Sequence, residues 1–299
     1  MPEEAMSSTT PITRVAELLC PDRFDLPRRD AQYRIRWSRG ENDIPDIVRA
    51  AQQIHGQSYV DFGYFEASGL TVDGRLVPEL DGTRSRPDGK IVASYLVASP
   101  TRSREFSPTA TVRLLDIGPH GSLSDLPTYA YFADTFSPEV ERQLRRIMEI
   151  NGPQGIREIA ALATIDVQSH RGSYELIRAL TQNCILRAQT RGYPELYLAS
   201  LTTRSLGPVV KFIGRRSATV LGSSVQIFSA DPRSRSIMVT PVLIDLSVVV
   251  DNIADELGES VDPLQRAQLE AKAAFLTDGL DLAASMYAPQ ELREGTQAS

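Results

Sequence analysis

Residues 157–191, REIAALATIDVQSHRGSYELIRALTQNCILRAQTR, place tight limits on what this chain can become. EIAALATIDV (158–167) is an apolar run of strand length, QSHRGS (168–173) is a polar turn, and 174–191 has the period of a helix. In that helix Leu176, Leu180, Cys184 and Ala188 recur every fourth residue and share one face, flanked by Ile177 and Ile185. Arg191, Gly192 and Pro194 supply the stop signal. A strand that feeds a helix through a short turn aims the first helical N–H groups at the space above the strand end, which favours an anion there. The pattern requires an α/β protein, and the following β-prone ELYLASL (195–201) supplies the next strand.

The remaining chain extends that plan. Residues 1–28 read as a flexible leader rich in Ser, Thr, Pro and charge. Tyr33–Trp37 alternates as a strand, and Ile44, Ile47, Val48, Ala51 and Ile54 form the apolar stripe of a helix over 44–55 that Asp43 caps. SYVDFGYF (58–65) is aromatic, and 66–89 has the Gly, Asp, Arg and Ser content of a long loop. Strands are predicted at 90–99 and 109–118, antiparallel to each other, with a turn-rich connection at 119–127. Ser137 and Pro138 open a helix to residue 150. Beyond the central unit, Ser205 caps a short helix over 206–214; three strands follow at 217–222, 225–230 and 236–246, then helices at 248–258 and 261–288. The domain division is a leader (1–28), a main domain (29–250) and a C-terminal helical extension (251–299).

Bulk properties exclude several function classes. Charged residues make up 23% of 299 and the formal charge is −6, the wrong sign for a general nucleic-acid binder. Two cysteines, Cys20 and Cys184, suggest neither a disulfide framework nor a metal cluster, and His55, His120 and His170 lack metal-ligand spacing. The N-terminus is polar and acidic where a signal peptide is basic then apolar, and no apolar run approaches membrane-spanning length. These features predict a cytoplasmic protein with no membrane span.

Three segments carry a family resemblance. TVRLLDIGPHGSLSDLPTYAYF (111–132), REIAALATI followed by HRGS, and VVKFIGRRSATVLG (209–222) with SIMVTPVLIDL resemble the GNAT-fold acyltransferase superfamily. Within it they are most like acyl-homoserine lactone (autoinducer) synthases and long-chain N-acyl amino acid synthases. The resemblance covers about residues 32–246 and implies a GNAT-like mixed, mostly antiparallel sheet flanked by helices, with extra C-terminal helices. It departs at the phosphate turn. Acetyl-CoA-dependent members carry glycines that let backbone N–H groups approach a pyrophosphate. Counted from Arg171, those positions hold Tyr174 and Leu176. A phosphopantetheine arm has one phosphate, which one arginine and a helix N-terminus can hold.

The resemblance therefore implies direct acyl transfer from a thioester to an amine. The co-substrate is an acyl-phosphopantetheine on acyl-carrier protein, or acyl-CoA, with no tightly bound cofactor; the acceptor is a small-molecule amine. Glu158 is the candidate base, with Asp166 second; the bland reading of Glu158 is a solvated carboxylate paired with Arg157 or an arginine opposite. Backbone N–H groups at Ala163, Thr164 and Ile165 are the expected oxyanion donors. Val167, His170, Arg171, Gly172 and Ser173 are expected at the donor phosphate. Arg113 is expected at a substrate carboxylate, and Phe132 among aromatics walling an acyl channel. Two other readings stay open: an acetyl-CoA-dependent N-acetyltransferase, and a non-catalytic GNAT-like regulatory or interaction module.

Overall fold

The computed structural model describes residues 33–39, 43–61, 63–77, 88–103, 105–165, 171–191, 196–227 and 237–277. The predicted leader, Cys20, the end of the C-terminal extension and residues 166–170 lie outside them. Among the described residues eight strands form one sheet: β1 (Tyr33–Arg39), β2 (Ile91–Pro100), β3 (Ala110–Ile117), β4 (Ile156–Thr164), β5 (Leu196–Thr202), β6 (Ala218–Val220), β7 (Val225–Ile227) and β8 (Ile237–Asp245). Their order is β1-β2-β3-β4-β5-β8-β6, with β7 also on β8. Every pairing is antiparallel except β4 with β5. The single parallel step follows from the long helix between those strands, since parallel neighbours need a crossover. This is the mixed, mostly antiparallel sheet that the resemblance implies.

Helices cover both faces. On one, α1 (Pro45–Asp61), α2 (Pro127–Phe132) and α3 (Pro138–Asn151) enclose Tyr95, Val97, Leu115, Leu198 and Leu243 from the sheet. On the other, α4 (Arg171–Arg191), α5 (Thr203–Ile213), α6 (Val249–Glu259) and α7 (Pro263–Thr277) cover Leu96, Val112, Leu114, Tyr197 and Val242. The predicted stripe of α4 holds over three of its four positions: Leu176, Leu180 and Cys184 are buried there, and Ala188, nearer the helix end, is half-buried. Val249, Ile253, Leu269 and Leu276 join the same core, so the described part of the C-terminal helices belongs to the sheet's packing. Gln182 Nε2 ties α4 to the end of α7 by donating to the Leu276 carbonyl at 2.9 Å.

Several predicted boundaries move, each for a physical reason. Helix α1 runs past residue 55 to Asp61 and absorbs SYVD, because Ser58 packs inward on the same stripe. The strand β4 begins two residues early, at Ile156, where it pairs with Leu196. Helix α4 begins at Arg171, so the Arg-Gly pair forms its first turn instead of the loop before it. Helix α5 is capped one turn earlier than Ser205: the Thr202 hydroxyl accepts from the Ser205 N–H at 3.2 Å. The short helix α2, with Pro127 in its first turn, replaces the end of a predicted connection.

Gly118 and Gly172 are among the glycines that permit close approach. A Cβ on Gly118 would lie 2.0 Å from the Gly89 carbonyl oxygen, and one on Gly172 would lie 2.9 Å from the Ala110 Cβ. The second contact seats the start of α4 directly on β3. Gly172→Val is expected to destabilise the protein by about 1–3 kcal/mol through overpacking, read as a lower urea midpoint at unchanged slope.

Candidate active site

The strand β4 carries a bulge that changes its facing. Arg113 of β3 pairs with Ala161 and Leu114 with Ile159, leaving Ala160 as an extra residue. One extra residue inverts the alternation beyond it. Glu158 therefore does not share a face with Leu162 and Thr164, as unbroken alternation predicts; Ala161 and Ala163 take over its side of the sheet. The irregularity falls at Ala160, whereas Ala163 and Thr164 pair regularly with Thr111 and Ala110, and the Ile165 N–H donates to the Thr109 carbonyl at 3.1 Å.

Directly beside the bulge, β4 and β5 part. Their parallel ladder ends at Ile159 opposite Ala199, although the strands run on to Thr164 and Thr202. Main-chain groups on the facing edges beyond that point lose their neighbour's ladder. Leu162 lies on the parted length of β4 and is 37% exposed, a large apolar side chain left open.

Glu158 sits just before the parting, on the face covered by α2, and is 3% exposed. The Thr128 N–H donates to its Oε2 at 3.0 Å and the Thr128 hydroxyl donates to its Oε1 at 2.8 Å. The Thr128 hydroxyl is in turn 2.8 Å from the Ser200 Oγ, and Ser200 is the first β5 residue past the end of the ladder. Burial pushes the Glu158 carboxyl up to about 7, against the pull of the two Thr128 hydrogen bonds, which lower it. The bland reading, a solvated carboxylate paired with Arg157, does not fit, because Glu158 is enclosed and adjacent strand residues face opposite ways. Arg157 lies under the other face, where it holds the Asp116 carboxylate (Nη2 to Oδ2, 2.9 Å) and approaches the Tyr197 hydroxyl.

The shifted carboxyl links to stability with a definite sign. Between the ordinary value of 4.5 and about 7 the folded protein keeps a proton that the unfolded chain has lost, so rising pH weakens the fold across that window. The deficit at pH 8 is about 3 kcal/mol. Glu158→Gln, which keeps the shape and removes the charge, is expected to raise the urea midpoint at pH 8. That gain should vanish at pH 4.

The other predicted residues are dispersed. Arg113 is 1% exposed, with its guanidinium 5.1 Å from the centre of the Tyr95 ring, deep under the helices of this face. Phe132 is 0% exposed, so not even a water-sized space touches its ring, and it lines no open channel. Of the other aromatics, Tyr59, Tyr64 and Phe65 cluster at the end of α1, Tyr129 packs against Phe136, and Tyr131 packs against Phe132 itself. Gly172 is buried and Ser173 half-buried in the first turn of α4. For Arg171 the structure describes the helical backbone only, and Asp166, Val167 and His170 lie outside the described residues. Arg142, Arg145 and Arg216 pair with Glu139, Glu141, Asp255 and Glu259 close by.

Thr128 and Ser200 escape the sequence reading. Leu126-Pro127 marks a helix start that would have put a hydroxyl in its first turn; nothing in the sequence marks Ser200. Among the described residues no group of His, Cys, Asp and Glu is arranged to hold a metal ion, and no helix is long and apolar enough to cross a membrane.

No family model matches the chain, and no curated protein matches it. Solved structures do. The AHL synthase LasI is 10% identical, with 73% of this chain and 93% of that one covered and a TM-score of 0.43. FeeM, an N-acyl amino acid synthase from uncultured soil microbes, is 12% identical over 74% and 94%, with a TM-score of 0.42. The GNAT domain of S. lividans PAT is 17% identical over 73% and 93%, with a TM-score of 0.33.

Proposed function

We propose that this protein is an N-acyltransferase that moves a fatty acyl group from acyl-carrier protein, or from acyl-CoA, to the amine of an amino acid or a similar small molecule. One observation carries the reading: a buried carboxyl whose pKa is about 7 stands where the only parallel strand pair of the described sheet opens. Amine attack on a thioester needs a base poised near neutrality, and that position supplies one. The parted edge of β4 offers main-chain groups to an extended donor arm, much as an added strand would be bound. In this reading Ala163 and Thr164 lie along the thioester, with Ile165 at the end of the strand. The first turn of α4, with Arg171, Gly172 and Ser173 and the preceding Val167 and His170, receives the single phosphate. Asp166 is the alternative base. Arg113 would need its covering helices to shift before it met a substrate carboxylate.

Mass spectrometry of lipid extracts from cells overproducing the protein tests this directly. New N-acyl amines are expected, and extracts identical to those of control cells would refute it. Tight acetyl-CoA binding without any response to acyl-carrier protein would favour the acetyltransferase alternative. A second reading, a non-catalytic module of the same fold, is favoured by one feature: both oxygens of Glu158 bind Thr128, as a carboxylate fastening a helix start would.

A further inference from the structure

We propose that Thr128 and Ser200 form a proton relay that connects buried Glu158 to the opening between β4 and β5. The inference rests on the acyl-transfer reading and gives the buried base its route to the substrate. Glu158 is almost wholly enclosed, so direct contact with an acceptor amine is blocked. The three groups nevertheless form a continuous chain, Ser200 Oγ to Thr128 Oγ1 to Glu158 Oε1, with both links at 2.8 Å. That is the usual separation of a good O–H···O hydrogen bond.

A hydroxyl has one proton, and this fixes the direction of the chain. While Glu158 is ionised, Thr128 donates to it and so accepts from Ser200, which leaves Ser200 lone pairs to receive a proton at the opening. When Glu158 is protonated the chain reverses: the acid donates to Thr128, Thr128 donates to Ser200, and the Ser200 proton faces outward. The Thr128 N–H holds the other carboxylate oxygen in both states.

The proton count closes over one turnover. As the amine nitrogen bonds to the thioester carbon it loses a proton to Ser200; Ser200 passes its own to Thr128 and Thr128 passes its own to Glu158. Collapse of the tetrahedral intermediate breaks the carbon–sulfur bond. The reversed chain then delivers one proton from Glu158 to the departing thiolate. Amine and thioester become amide and thiol, with both hydroxyls and the carboxylate restored.

The relay is testable without turnover. The carbonyl stretch of protonated Glu158, assigned as the infrared band absent from Glu158→Gln, shifts when its proton is replaced by deuterium. Stopped-flow infrared after mixing the whole protein with heavy water at acidic pH measures the rate of that replacement. Ser200→Ala and Thr128→Val are expected to slow it by about 10²-fold, the scale of a positioned proton-transfer group, with Thr128→Ser restoring the native rate. Equal rates in all four proteins would overturn the relay. Ser200→Ala is conservative enough to decide the matter should Thr128→Val fold poorly. Because the band needs no substrate, a failed relay is distinguishable from a failed acyl-transfer reading, which the lipid extracts judge separately.

Discussion

Glu158→Gln is expected to lower kcat for acyl transfer by about 10²–10⁴ while leaving KM for the acyl donor nearly unchanged. Glutamine keeps the length of the side chain and can still accept from the Thr128 N–H and donate to its hydroxyl, so α2 stays in place. Only the ability to take a proton disappears. In the native protein kcat/KM should rise with pH through about 7, because the carboxyl must be ionised to act as a base and burial sets its pKa there. The variant should lose that limb. A variant that keeps full activity would leave Glu158 a fastening for α2 and nothing more. The stability gain expected of the same substitution above pH 7 runs against the activity loss, as befits a charge held in the interior for use.

Phe132→Ala is expected to destabilise the fold by about 3–5 kcal/mol, read from urea denaturation, because the whole ring is buried and its removal leaves a cavity. The substitution also separates packing from recognition. Were Phe132 part of an acyl channel, donors of different chain length would respond unequally to its loss. Its place in the interior predicts one uniform loss that follows the folded fraction. Tyr131, its neighbour in α2, is half exposed and should tolerate alanine with little change.

The sheet and its helices were largely legible because periodicity reports burial. The alternating β1, the antiparallel pair β2 and β3, and the four-residue stripe on α4 each reflect a face that must meet a core. The Ser137 cap was equally plain, and its hydroxyl does accept from the Val140 N–H. What sequence could not show was anything that depends on a partner strand. The extra residue at Ala160 leaves no trace in composition, yet it moves Leu162 and Thr164 to the face opposite Glu158. The environment of Glu158 was hidden for the same reason. Thr128 lies thirty residues away and Ser200 seventy-two from Thr128, and only folding brings the three hydroxyl and carboxyl groups together. The Gly172 beside Arg171 reads in sequence as a phosphate-turn glycine, and its packing on Ala110 is a structural reason to lack a side chain that only the fold shows.

The most direct measurement combines purified protein, acyl-carrier proteins loaded with medium and long chains, and the common amino acids, with products resolved by mass spectrometry. The account predicts an N-acyl amino acid and an equal amount of free phosphopantetheine thiol from the native protein, with both reduced by about 10²-fold or more in Glu158→Gln. Equal yields from the two proteins, or no N-acyl product from any donor and acceptor including acyl-CoA, would contradict it.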